Sequence, residues 1–126
     1  MNPPQYFQMA DGYACYRPVG EVSLPEAIDR ISQAIAHARE HKIKKLLVNI
    51  TGLTGIDPLG TWDRFYMSER FAQDAKASLI GVMVAPAERI DPRKFGVTVA
   101  RNRGLFSNIF STEEEAVTWL LDPNAE

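Results

Sequence analysis

Two fairly continuous apolar runs constrain this chain most: the basic-capped residues 44–50 (KKLLVNI) and residues 78–85 (SLIGVMVA). Neither alternates apolar with polar side chains, as a strand with one wet face does. Runs of this length and continuity suit strands buried on both faces, the condition of a parallel sheet covered by helices. Both are far too short to span a bilayer. Between and around them lie helix-length segments with three- and four-residue apolar spacing, several opened by capping residues. That alternation predicts an α/β fold.

The flanking segments supply the order. Residues 6–9 and 13–19 surround Asp11-Gly12, a pair suited to a tight turn, and read as an antiparallel hairpin. Ser23-Leu24-Pro25-Glu26 spells a capping box with proline in the first turn. Leu24, Ala27, Ile28, Ile31, Ile35 and Ala38 then mark one apolar face of a first helix. Asp57-Pro58 is expected to open a second helix and Asp91-Pro92 a third, which Gly104 closes. Residues 105–110 give a last strand, and Thr112-Glu113-Glu114-Glu115 a capping box for a last helix with Ala116, Val117, Trp119 and Leu120 inward. The predicted order is β-β-α-β-α-β-α-β-α, a mixed sheet of about five strands flanked by four helices, with right-handed crossovers between the later strands.

Composition narrows the class. The 126 residues fit one domain, residues 1–126, and the net charge of −2 gives no global attraction to nucleic acid or an anionic membrane. The lone cysteine, Cys15, excludes an internal disulfide and reads as core filler. No basic region followed by an apolar run begins the chain, so a cytoplasmic protein without integral membrane association is expected.

Two segments carry a family resemblance. Residues 46–60 (LLVNITGLTGIDPLG) resemble the apolar strand, short loop and Asp-Ser-x-Gly helix start of the STAS domains. Residues 99–104 (VARNRG) and 110–120 (FSTEEEAVTWL) look like the closing helix–strand–helix of the SpoIIAA-like branch of that superfamily. The resemblance covers nearly the whole chain and implies a SpoIIAA/STAS-like fold acting as a non-enzymatic regulatory or protein-interaction module. In the anti-sigma-factor antagonists of the family, the serine of Asp-Ser-x-Gly is the phosphorylation switch, placing roughly −2 charge at a helix N-terminus. Asp57 and Gly60 match that motif here, but Pro58 stands at the serine position and has no hydroxyl. The family's usual switch therefore has no acceptor. Thr54 and Thr61 lie nearby and are read as loop and helix-start residues rather than phosphate acceptors.

Other constellations have plainer roles. His37-Ala38-Arg39-Glu40-His41 spells H-x-x-E-H, which on a helix sets two imidazoles one turn apart for zinc with Glu40 as base. A distant carboxylate would have to come from Glu113–Glu115. The motif ends its helix, where histidines satisfy terminal carbonyls, and Glu40 points away from the apolar stripe. A zinc-dependent hydrolase is thus a distant reading, and no metal or cofactor is expected. Asp57 with Asp63 suggests a carboxylate pair, better read as a cap and a solvated helix residue. Arg89, Arg93, Lys94, Arg101 and Arg103 cluster on or beside the third helix and read first as a solvated face; Arg93, Lys94, Arg101 and Arg103 form the alternative, a patch for an anion or acidic partner. Phosphate-loop, serine-elbow and Cys–His patterns are missing, and nothing in the chain spells a nucleic-acid motif.

The second helix is the least ordinary segment. Trp62, Phe65, Tyr66, Met67 and Phe71 spread around it. With Phe65, Ala72 and Ala75 toward the sheet, Trp62 and Tyr66 fall partly outside, as binding hot spots do. Thr54, Asp57, Pro58, Gly60, Trp62 and Tyr66 are therefore the expected contact surface for a protein partner or a second copy in a homodimer. A shallow small-ligand or lipid site is the alternative, implied by the lipid-binding Sec14-type relatives of the family. A chain this short has little room to enclose a lipid.

Overall fold

The computed structural model describes residues 3–125. The chain opens with β1 (Phe7–Met9) and β2 (Ala14–Tyr16), paired antiparallel with Phe7 opposite Tyr16. Gly12 turns the hairpin at a φ of +87°, a left-handed conformation that glycine adopts without strain. β3 (Gly20–Glu21) follows, then α1 (Leu24–Glu40). The Ser23 hydroxyl accepts the Glu26 N–H at 3.3 Å while the Glu26 carboxylate accepts the Ser23 N–H at 3.1 Å, so both halves of the predicted capping box form.

After α1 come β4 (Lys45–Asn49), β5 (Leu53–Thr54), α2 (Thr61–Ala75) and β6 (Ile80–Val84). A 3-10 turn at Ala87–Arg89 leads to α3 (Phe95–Asn102), β7 (Ser107–Phe110) and α4 (Glu113–Leu121). Among the described residues the main sheet has five strands in the order β1-β2-β4-β6-β7, antiparallel at β1–β2 and parallel thereafter. The predicted mixed sheet and four helices are present. The short parallel pair of β3 with β5 was not foreseen.

Each parallel strand lies beside the one before it in sequence, so successive right-handed crossovers put α1, α2 and α3 on the same face. Alternation along β4 shows the two layers directly. Leu46 and Val48 join Ile31, Ile35, Met67 and Phe71 on the three-helix side. Leu47 joins Cys15, Val82, Trp119 and Leu120 beneath α4. Leu46 and Leu47 are both sealed from water, and burying a leucine side chain contributes about 1.5–3 kcal/mol. Cys15 is core, as expected, and burial pushes its thiol up to about 11.

Three local expectations need correction. α2 begins at Thr61 with Gly60 as N-cap, not at Asp57-Pro58. Gly60 is extended there, and the Asp63 carboxylate accepts its N–H at 3.0 Å, so the cap comes from inside the helix. α3 begins at Phe95, several residues after Asp91-Pro92. The Asp91 carboxylate still does the capping, accepting from Arg93 N–H at 3.2 Å and Phe95 N–H at 2.9 Å, but Lys94 turns left-handed before the helix can start. Finally, α2 buries Met67, Phe71, Ala72 and Ala75. Phe65 does not face the sheet; its ring stands edge-on to Trp62, under the Arg103 guanidinium.

Candidate functional site

The loop from β4 to α2 divides its side chains by character. Leu53, Ile56 and Leu59, three residues apart, turn inward, while Thr54, Asp57, Pro58 and Gly60 stay exposed. The loop is held in shape from both ends. At its start the Asn49 side chain accepts the Thr51 N–H at 2.9 Å and its hydroxyl at 2.7 Å, a turn that asparagine forms readily. Gly52 and Gly55 let β3 come close, since a Cβ at Gly55 would sit 2.9 Å from the Val22 carbonyl oxygen. At its end, Arg64 on α2 reaches back to the Leu59 carbonyl.

Inside that loop lies a cavity of about 160 Å³ between the three-helix layer and the sheet. Its body is apolar, walled by Ile31, Leu46, Met67, Phe71, Met83 and Leu105. Gly81 contributes by what it lacks. It faces the helix side of β6, where a Cβ would meet Leu105 and the Leu46 carbonyl oxygen at 3.9 Å, an ordinary contact with no clash. The polar wall gathers where the parallel strands end and α2 and α3 begin, and consists chiefly of Arg64, Arg89, Asp91 and Lys94. Clefts at the carboxyl ends of parallel strands are the usual ligand sites of open α/β sheets.

The polar groups of this wall are fixed. Arg64 donates to the carbonyls of Leu59 and, at 3.2 Å, Arg89; Arg89 donates to the Ile56 carbonyl at 2.7 Å. Lys94 donates to the Asn108 side chain at 2.7 Å with its ammonium 5.0 Å from the Phe110 ring centre. Asp91 is held below the ordinary carboxylate range, first by the Phe95 N–H and then by that of Arg93, with the Arg64 charge adding to the effect.

Each residue singled out in the sequence has a definite place. Trp62 is 82% exposed and Tyr66 53%, so neither ring is core. Thr54, Asp57, Pro58 and Gly60 lie on the same exposed stretch of chain leading to them. Thr61 is exposed at the first turn of α2. Asp57, Pro58 and Asp63 border a shallow depression beside Ser23 and Pro25. Of the four basic residues, Arg93 is exposed, whereas the others are engaged. Lys94 lies in the cavity wall, Arg101 donates to the Ser107 carbonyl at 2.9 Å over the Phe106 ring, and Arg103 meets Glu69 at 3.3 Å.

The H-x-x-E-H motif is used to end α1. His41 is its C-cap, stacked on His37 with ring centres 4.1 Å apart, and its Nδ1 lies 3.0 Å from the His37 carbonyl oxygen. Burial and the neighbouring His41 lower the His37 pKa. Among the described residues no three His, Cys, Asp or Glu side chains gather in a metal-binding group. Glu113, one of the acids a zinc site would have drawn on, is bound instead by both Arg17 and Asn49.

Sequence reasoning missed Ile56, Leu59, Arg64 and Gly81, and placed Arg89 only in the basic cluster beside the third helix. Two signals for them were present. Leu53, Ile56 and Leu59 recur every third residue inside a loop, and Gly81 interrupts an otherwise apolar strand, where an isolated glycine marks special packing. Arg64 carried no local signal, because its partner Arg89 comes from another segment. No helix of the described residues is long and apolar enough to cross a membrane. The chain matches no protein-family model, no curated protein and no solved structure.

Proposed function

We propose that the chain is a non-catalytic binding module of the STAS, SpoIIAA-like kind whose ligand is a small molecule with an apolar body. The cavity of about 160 Å³ under α2 and α3 is the observation that carries this reading. An apolar cavity of about 150 Å³ is large enough for benzene. The size therefore favours a ring or short acyl chain over a two-chain lipid, which narrows the lipid alternative considered from the sequence. The charged groups of the wall are fixed by backbone carbonyls and N–H groups, which supports holding a ligand over reacting with one.

Gly81→Leu tests the reading, since Gly81 lines the cavity and a Cβ there meets its neighbours at ordinary contact distance. Hexan-1-ol and benzene should perturb the amide NMR signals of Met67, Gly81 and Ile109 in the wild type and leave the variant unmoved. The variant should melt at the same or a higher temperature, because it fills a void. Equal perturbation of wild type and variant would show that the probes bind elsewhere.

A second reading rests on a separate observation. Trp62 and Tyr66 project from α2, and exposed aromatic rings of this kind anchor protein contacts. The same module would then meet a protein partner or a second copy through the surface leading from Thr54 to Tyr66.

A further inference from the structure

Two arginines are costly in the wall of an apolar cavity. A guanidinium carries a full charge at every accessible pH, and a half-buried charge is stable only if something compensates it. Arg64 and Arg89 are half-buried, and the hydrogen-bond partners given above are neutral backbone carbonyls. Among the described residues no carboxylate forms an ion pair with either. Asp91 is the one carboxylate in the cavity wall, and both of its oxygens are already taken by N–H groups at the start of α3. Lys94 adds a third positive charge to the same wall. Three cations against one anion leave the mouth of an apolar cavity positive.

The geometry matches one ligand chemistry. A guanidinium has five N–H donors, of which Arg64 and Arg89 spend only a few on the carbonyls that hold them. Those carbonyls orient the side chains and leave the remaining donors for a planar anion, which arginine binds by paired hydrogen bonds. Behind the charged mouth the wall is aliphatic and aromatic, with room for a body of about six carbons by comparison with the benzene-sized cavity.

Resting on the cavity reading above, we propose that the natural ligand is a small organic carboxylate. Its carboxylate pairs with Arg64 and Arg89, and its ring or short acyl chain fills the space beside Gly81. A neutral molecule of the same shape gains only the apolar contacts. A longer or two-chain amphiphile exceeds the cavity.

The experiment compares hexanoate with hexan-1-ol, and benzoate with benzyl alcohol, by NMR titration of the intact chain. The wild type should bind each carboxylate at least about tenfold more tightly than its alcohol, a difference of about 1.4 kcal/mol. Raising salt from about 0.05 M to about 0.5 M should weaken the acids alone, because screening acts on charge. Arg89→Gln should bring the acid-to-alcohol ratio close to one, and Arg89→Lys should restore part of it. Arg64→Gln removes the bonds to the Leu59 and Arg89 carbonyls and Arg89→Gln only the bond to the Ile56 carbonyl, so Arg89 is the less disruptive site, and amide spectra of each variant check the fold. Carboxylates that bind no better than alcohols, or an acid preference that survives Arg89→Gln at full strength, would overturn the proposal. If the alcohols bind and Gly81→Leu abolishes their binding while the acids show no preference, the cavity stands and only the anion assignment falls. If no probe binds, both fall.

Discussion

Arg17 and Glu113 lie 96 residues apart, yet they form a two-pronged ion pair. The Arg17 Nε and Nη2 groups donate to the two Glu113 oxygens at 2.7 and 2.8 Å, and Asn49 adds a third hydrogen bond. The Arg17 guanidinium, with help from Asn49, holds the Glu113 carboxyl down to about 2, from an ordinary value of 4.5. A depressed carboxyl pKa adds stability above the unfolded value, and that stability is lost as pH falls toward the folded value. Glu113→Gln should therefore destabilise the protein near neutrality, by about 1 kcal/mol or less because the pair is partly exposed. The difference from wild type should shrink between about pH 4.5 and about pH 2, read from urea midpoints across that range. A difference that stays constant down to about pH 2 would mean Glu113 acts through packing. Glu113 was legible in the sequence as a first-turn acid of the last helix; its partner was not, since nothing local links it to the end of a hairpin.

At the scale of the element, the loop between β4 and α2 illustrates how far local rules reach. Capping rules located α1 to the residue, because Ser23, Pro25 and Glu26 act only on one another. The same rules placed the start of α2 too early. Asp57 and Pro58 have the right chemistry, but Leu59 enters the cavity and its carbonyl is held by Arg64, so the chain stays extended until Gly60. Gly55 is the hinge of this arrangement. It sits at a φ of +87° with no room for a Cβ against Glu21 and Val22. Gly55→Ala should cost about 1–3 kcal/mol through strain and loss of the β3–β5 pairing. Thermal or urea unfolding would show it, and a change below about 0.5 kcal/mol, the range of an ordinary surface substitution, would mean the loop relaxes freely.

For the whole molecule, the exposed rings on α2 are the feature that association must answer for. Alanine at both Trp62 and Tyr66 should change unfolding free energy by no more than about 0.5 kcal/mol, as expected for surface positions. If the second reading holds, the same variant loses self-association or partner binding, measured by sedimentation over a range of concentrations. Unchanged association would move the contact off α2, and unfolding would show that the rings pack after all. The fold itself was largely readable beforehand. Continuous apolar runs such as LLV fixed which strands are central, and capping residues fixed where helices alternate with them, because both act over a few neighbouring residues. The surroundings of each side chain were decided only by the tertiary structure. Crossovers of one hand put three helices on one face, leaving Gly81 beneath them in the cavity wall and bringing Arg64 to the backbone of Arg89. A cavity, its charge and the exposure of Trp62 depend on contacts between segments far apart in sequence, and no periodicity within one segment records them.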